Sequence, residues 1–179
     1  MIVLDTGILI YGIQGKKKGL LNAYEQRIVP RAQALLSELA SHDSKILIPA
    51  PAAWEFVLDF PVEEQPEIRS QMSGFGIPPF DQAAARIAAE IMRKHFDYAM
   101  ATQKGQGKKD VKKAGARQLL KVDAQIVAIA IAQGATHLYT LETEKFAKWA
   151  DGTILVKGLP QTQLLLPGID SDAADKTDG

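Results

Sequence analysis

The sequence predicts an α/β domain in which a short parallel sheet is covered by helices on both faces. Short apolar runs alternate along the chain with longer stretches of helical character. These runs are too short and too continuously apolar to be half-exposed antiparallel strands, so they indicate parallel strands that are buried on both sides. The chain has 179 residues, 46% of them apolar, which suits one domain with a substantial core.

The first two predicted strands lie in the N-terminal third of the chain. Residues 2–4 are a buried strand that ends at a turn, and KILIPAP (45–51) is a second strand stopped by two prolines. Between them, Pro30 is expected to open a helix, because proline is favoured at the first helical position. The segment AAWEFVLDF (52–60) is expected to be a helix with Trp54 in the core.

The middle of the chain is predicted to be mainly helical. A Glu-rich helical piece at 62–73 leads to an extended segment at 74–80. Asp81 is placed as the N-cap of an alanine-rich helix that runs to about Tyr98. The glycine- and lysine-rich stretch 102–116 is expected to be a mobile connection.

The last elements follow Asp123. This residue is expected to open the apolar helix 126–132, which leads to a third strand at 137–140. A short helix at 145–150 and a strand at 153–157 complete the domain. We therefore place a folded domain at 1–166 and an acidic tail, expected to be disordered, at 167–179.

Composition excludes several function classes. The sequence has 21 Lys and Arg against 21 Asp and Glu, so it is not a globally basic nucleic-acid binder. Without cysteine it has no disulfide, thiolate zinc site or cysteine nucleophile. It also lacks a glycine-rich phosphate loop, and its three histidines are too scattered to suggest zinc.

The chain is expected to be cytoplasmic and not to enter a membrane. Its longest apolar run, IVAIAIA at 126–132, has seven residues, whereas a membrane helix needs about 20. Its first residues do not have the pattern of a secretory signal.

One stretch of the chain is strongly basic although the net charge of the whole chain is zero. Residues 93–121 hold nine bases and two acids. This charge could lie against the phosphates of a polyanion, or it could be a solvated lysine-rich connection. The candidate nucleic-acid contacts are Lys108, Lys109, Lys112, Lys113, Arg117 and Lys121.

Acidic residues follow the predicted strands. Asp5 comes directly after the first strand, Glu55 lies on the helix after the second, Asp123 lies at the start of the last long helix, and Glu142 lies just past the third strand. Carboxylates that share a pocket repel one another, so such a cluster makes sense mainly around a cation. Magnesium suits it, because it takes oxygen ligands and keeps open positions for a phosphate and an attacking water.

Each acid also has a purely structural interpretation. Asp5 and Asp123 could be helix N-caps, and Glu55 could belong to a solvated helix face. Glu142 and Glu144 could be acids of a helical first turn. Thr6 and Thr140, beside two of the acids, could position water or ligands, or they could be ordinary strand and cap residues.

Five segments, taken in order, resemble the PIN-domain ribonucleases of VapC-type toxins. They are IVLDTGILI (2–10), LIPAPAAWEFV (47–57), PPFDQAAARIAAEI (78–91), KVDAQIVAIAIAQGATHLYT (121–140) and LETEKF (141–146). The resemblance implies a three-layer α/β/α sandwich, with metal-binding acids at the matching positions Asp5, Glu55, Asp123 and Glu142, and Glu144 as a possible fifth.

The resemblance also implies an activity and partners. Proteins of this type cleave single-stranded or loop RNA with Mg²⁺ or Mn²⁺, act as dimers and are inhibited by a cognate antitoxin. The alternative is a protein of the same fold that binds RNA or another protein and is catalytically weak or inactive, because Glu142 stands where the family usually has aspartate. A third interpretation, the Asp-Thr-Gly triplet of aspartic proteases at Asp5, fails because those enzymes are β-rich and the long helices here would have no place.

Overall fold

The computed structural model describes residues 1–14, 21–42, 44–104 and 110–161, with 14, 96–104 and 110–120 described by their backbone only. Within these ranges four short strands form one parallel sheet in the order β2-β1-β3-β4. The strands are β1 (Ile2–Leu4), β2 (Ile46–Leu47), β3 (His137–Tyr139) and β4 (Leu155–Lys157). The predicted α/β class with a parallel sheet is therefore confirmed.

Helices cover both faces of this sheet. Successive side chains of a strand point to opposite faces, and the neighbours Val3 and Leu4 are both fully buried. The three-layer α/β/α sandwich is thus confirmed. The helices are α1 (Thr6–Leu9), α2 (Glu25–Ser41), α3 (Ala50–Leu58), α4 (Gln65–Gln71), α5 (Gln82–Lys104), α6 (Asp110–Ala132) and α7 (Thr143–Ala150), with a π-helical turn at Ile10–Gln14 after α1.

Helix α2 begins earlier than predicted. The Asn22 side chain accepts hydrogen bonds from the backbone N–H groups of Tyr24 and Glu25, both at 2.9 Å. The Glu25 carboxylate in turn accepts the N–H of Asn22 at 2.9 Å. This reciprocal pairing satisfies N–H groups at the start of the helix, so Pro30 lies inside α2 and does not open it.

The predicted mobile connection at 102–116 is wrong for most of its length. Helix α5 continues to Lys104 and α6 already begins at Asp110, while 105–109 lies outside the described residues. The sequence 111–121 is rich in lysine, alanine, arginine, glutamine and leucine, which all favour helix. Asp123 therefore lies well inside α6 and does not cap it.

Helix α6 is the central helix of one side of the molecule. Its segment from Ile126 to Ala130 is fully buried, and α6 packs against α3, α5 and α7. The large side chains of Phe56 and Phe146, from α3 and α7, join the same core. This packing brings acids and bases on three helices towards the ends of β1 and β3.

Two further expectations can be compared with the structure. Trp54 is not a core residue as predicted but is 58% exposed, on the outer side of α3. In the part of the chain that the structure describes, no helix has the length and apolar character to cross a membrane. The predicted tail 167–179 lies outside the described residues.

Candidate active site

Asp5 lies where β1 ends and α1 begins, at the carboxyl edge of the sheet. Its backbone N–H donates to the Tyr139 carbonyl at 3.0 Å, which continues the pairing of β1 with β3. Its carboxylate accepts two hydrogen bonds, both at 2.8 Å, from the Thr6 N–H and the Thr140 hydroxyl. Asp5 therefore accepts one hydrogen bond from the next residue in the sequence, Thr6, and one from Thr140, which lies just past β3.

Burial dominates the electrostatics of Asp5. The residue is 8% exposed, and this desolvation raises the pKa of Asp5 to about 6. The Thr140 and Thr6 hydrogen bonds oppose the rise in pKa, and so does the positive charge of Lys145, whereas the negative charge of Asp123 adds to it. Burial therefore disfavours the charged form of this carboxylate.

Glu55 joins the same network from helix α3. The Thr6 hydroxyl donates to Glu55 Oε2 at 2.7 Å. Partial burial raises the pKa of Glu55, and the charges of Asp123 and Asp59 raise it further. The sequence interpretation of Glu55 as part of a solvated face does not describe it, because it is half-buried and bonded to a residue of α1.

Asp123 projects from α6 towards the start of α7. Lys145 donates a hydrogen bond from Nζ to Asp123 Oδ2 at 2.7 Å. The side chains of Lys145 and Asp123 are 28% and 21% exposed, so this ion pair is partly shielded from water. The negative charge of Asp123 raises the pKa of both Asp5 and Glu55.

The two acids after β3 lie further out. Glu142 is 60% exposed and forms an ion pair with Lys145, three residues later. The Glu142 backbone N–H donates to the Thr140 hydroxyl oxygen at 3.1 Å, so this turn supports the hydroxyl that contacts Asp5. Glu144 is exposed in the first turn of α7.

The donor chemistry of this site suits a divalent cation, but the carboxylates are arranged around Lys145. Asp5, Glu55 and Asp123 supply hard oxygen donors. With Glu142 included, four carboxylates face one ammonium group, so a negative charge remains when all are ionised. Among the described residues, no three acidic or histidine side chains converge closely enough to hold one metal ion. The acids fit such an ion in donor type and charge, whereas Asp123 is paired with Lys145 in this structure.

The predicted nucleic-acid contacts can be located only in part. Lys108 and Lys109 lie outside the described residues. Lys112, Lys113 and Arg117 lie on the first half of α6, which is described by its backbone. Lys121 is exposed and lies two residues before Asp123 on that helix.

Lys145 is the residue of this site that sequence reasoning missed. It lies within LETEKF (141–146), in which the sequence pattern indicates a role for the two acids and none for the lysine. A signal was present, because a base three residues after Glu142 can pair with it on a helix. The contact with Asp123, across 22 residues, has no such local signal.

Comparison with known proteins finds similarity in structure only. No protein-family profile matches the sequence, and no curated protein matches it. A chain of the VapBC2 complex from Rickettsia felis, solved bound to a promoter DNA fragment, superposes with a TM-score of 0.56 at 20% identity, covering 89% of this chain and 100% of that chain.

Two further structures give the same result. A chain of a toxin-antitoxin complex from Klebsiella pneumoniae has a TM-score of 0.56 at 17% identity, covering 87% of this chain and 96% of that one. A chain of DNA-bound VapBC from Salmonella typhimurium has a TM-score of 0.54 at 15% identity, covering 88% and 96%. The chain therefore has the PIN-like α/β/α fold that its sequence predicts, in common with chains of VapBC complexes.

Proposed function

We propose that this protein is a metal-dependent endoribonuclease that hydrolyses RNA phosphodiester bonds. One observation carries the proposal. Three acids from separate segments, Asp5 after β1, Glu55 on α3 and Asp123 on α6, lie close enough that the charge of Asp123 raises the pKa of the other two. A protein gains no stability from collecting like charges in this way, so their grouping favours a role in binding a cation.

Asp5, Glu55 and Asp123 would hold Mg²⁺ or Mn²⁺. Such an ion supplies a more acidic bound water and stabilises the leaving oxygen of a phosphodiester. The chain's own part is to orient the ligands. Thr140 holds one oxygen of Asp5, and Thr6 holds Oε2 of Glu55, so both side chains are positioned before a ligand arrives.

Glu142 and Glu144 complete the proposed set of acids at the outer side. Both are exposed, so we assign them contacts with the ion through water and not direct ligation. Magnesium keeps several waters in protein sites, which leaves room for such contacts. Glu142→Gln and Glu144→Gln variants are expected to weaken activity less than changes at Asp5 or Asp123.

RNA is proposed to approach along helix α6. Lys113, Arg117 and Lys121 follow one another at intervals of four residues, which places them on one face of this helix. With a rise of about 1.5 Å per residue, this row of bases extends about 12 Å along the helix and ends about 3 Å before the level of Asp123. Lysine and arginine that neutralise phosphates supply affinity without reading the sequence.

We propose a role as the toxin of a toxin-antitoxin pair, and the fold supports it. The compared structure from Klebsiella pneumoniae is a toxin-antitoxin complex, and this chain covers almost the full length of the matched chain. We propose an antitoxin protein as partner and a homodimer as the assembly. Sedimentation of the purified chain tests the dimer, and a monomer at micromolar concentration would contradict it.

Cleavage of a labelled single-stranded RNA tests the activity. After treatment with a chelator, the protein should cleave only when Mg²⁺ or Mn²⁺ is added back. Asp5→Asn and Asp123→Asn should each lower the rate about 100-fold or more, because they remove proposed metal ligands. Glu90→Gln, a change at an exposed acid of α5, should leave the rate unchanged. Equal cleavage by all four proteins would exclude the assignment.

The Lys145 contact with Asp123 favours a second function. If the ammonium permanently neutralises Asp123, the protein would be a catalytically weak or inactive PIN-like domain that binds RNA or another protein. An inactive domain of this kind that binds RNA would do so without divalent ions and would not cleave it. Binding and cleavage measured on the same RNA distinguish the two functions.

A further inference from the structure

Lys145 is a cation built into the acidic site. Its ammonium group donates to Asp123 Oδ2 at 2.7 Å and also forms an ion pair with Glu142. The positive charge of Lys145 acts on Asp5 and Glu55 as well. One basic side chain therefore interacts with all four acids at the carboxyl edge of β1 and β3.

Its surroundings differ from those of an ordinary surface ion pair. Exposed pairs of this type contribute little, since water and salt screen them. Here the Lys145 side chain is 28% exposed and that of Asp123 is 21% exposed. The ammonium also lies 5.4 Å from the Phe146 ring centroid and 5.7 Å from that of Trp149, within the range of cation–π attraction.

The helix dipole disfavours a lysine at the position of Lys145. Lys145 lies in the first turn of α7, directly after Thr143 and Glu144. The N-terminal end of a helix carries a partial positive charge, so a cation in the first turn is unfavourable. The surrounding carboxylates must outweigh this cost.

We propose that Lys145 is an intramolecular competitor of the divalent cation at Asp123. The proposal rests on the proposed metal-dependent function. Metal binding requires the Lys145 ammonium to leave Asp123. Glu142, which is 60% exposed, is already paired with Lys145 and keeps the ammonium at the outer side of the site. Lys145 is thus a positioning residue that sets the cation concentration at which the site fills.

Competition has a definite thermodynamic consequence. The apparent dissociation constant equals the intrinsic constant divided by the fraction of molecules that are competent to bind. If the ammonium holds Asp123 in about nine-tenths of the molecules or more, removing its charge should lower the apparent dissociation constant for Mg²⁺ about tenfold or more. A lysine that assists metal binding would have the opposite effect.

Calorimetric titration of Mg²⁺ into chelator-treated protein tests this directly. Lys145→Met keeps an unbranched apolar side chain beside Trp149 and removes the charge. Lys148→Met makes the same change at an exposed lysine of the same helix. We expect about tenfold tighter binding for Lys145→Met and unaltered binding for Lys148→Met.

The outcomes separate this inference from the proposed function. Tighter binding in Lys145→Met supports competition, even where the unaltered protein binds too weakly to measure. Equal or weaker binding in Lys145→Met, with measurable binding by the unaltered protein, overturns the competition and leaves the metal-dependent function standing. No binding by either protein overturns both.

Fluorescence gives a second test that retains Lys145. The sequence has two tryptophans, so Trp54→Phe leaves Trp149, beside the ammonium, as the only one. Mg²⁺ should change the Trp149 emission in this variant and should not change it when Lys145→Met is added. Mg²⁺ binding without any change in Trp149 emission would show that Lys145 stays in place, and would overturn the proposal. This test holds even if Lys145→Met alone is too unstable to titrate.

Discussion

Thr140 donates its hydroxyl hydrogen to Asp5 Oδ2 at 2.8 Å and so joins the ends of β3 and β1. Both residues are buried. The hydroxyl oxygen also accepts the Glu142 N–H at 3.1 Å. One side chain thus links the most buried acid of the site to the turn that carries Glu142 and Lys145.

Thr140→Val is expected to destabilise the protein by about 1–3 kcal/mol near neutral pH, because it leaves a buried carboxylate oxygen without its donor. Valine has nearly the same shape, so packing changes little. Urea unfolding measures the effect, and Thr140→Ser, which keeps the hydroxyl, should recover most of the stability. A valine variant as stable as the unaltered protein would show that this hydrogen bond contributes nothing.

The contribution of Asp5 to the stability of the metal-free protein should fall as pH rises through the acidic range. The pKa of Asp5 is about 6 in the folded chain against a usual value of 3.8, so the folded state binds this proton more tightly than the unfolded state. The resulting loss, about 3 kcal/mol in total, should occur mostly between about pH 4 and pH 7.

Asp5→Asn removes this titration. In the presence of a chelator, its stability relative to the unaltered protein should increase with pH and then level off above about pH 7. Chemical unfolding at several pH values measures the difference. A difference that is independent of pH would contradict the raised pKa of Asp5.

Three substitutions on the basic face of α6 should weaken RNA binding and its dependence on salt. Changing Lys113, Arg117 and Lys121 to glutamine removes three charges, so the slope of log affinity against log salt should decrease by about 2 for a single strand. The same three-charge change at Lys16, Lys17 and Lys18 is the control. An equal loss of slope in both proteins would indicate a general effect of net charge.

Gly12→Ala tests the packing of the π-helical turn on α2. A Cβ at Gly12 would lie 2.5 Å from Leu36 Cδ1 and 3.3 Å from the Ala32 carbonyl oxygen. Overpacking of this kind costs about 1–3 kcal/mol. Gly74→Ala, where a Cβ would have no neighbour within 4 Å, should leave the unfolding free energy almost unchanged. Equal effects of the two substitutions would exclude the close approach.

Much of the architecture could be predicted from local patterns. The strand at 2–4 is a continuous apolar run, and only a sheet covered on both faces buries such a run completely. The prediction of a mobile connection at 102–116 is wrong. Its glycines and lysines suggest a loop, whereas the helix-forming residues around them extend α5 and α6 into this stretch. Trp54 was misplaced because apolar neighbours on a short helix do not reveal which side faces the core.

The sequence by itself determined the order of strands and helices along the chain and the placement of an acid after each of the first three strands. Only the tertiary structure decided which side chains meet. Asp5 and Thr140 are separated by 135 residues, Thr6 and Glu55 by 49, and Asp123 and Lys145 by 22. Contacts over such separations depend on the order of the strands in the sheet and the packing of the helices upon it, which no local pattern specifies. For that reason the acids could be predicted from the sequence, and the contact of Lys145 with Asp123 could not.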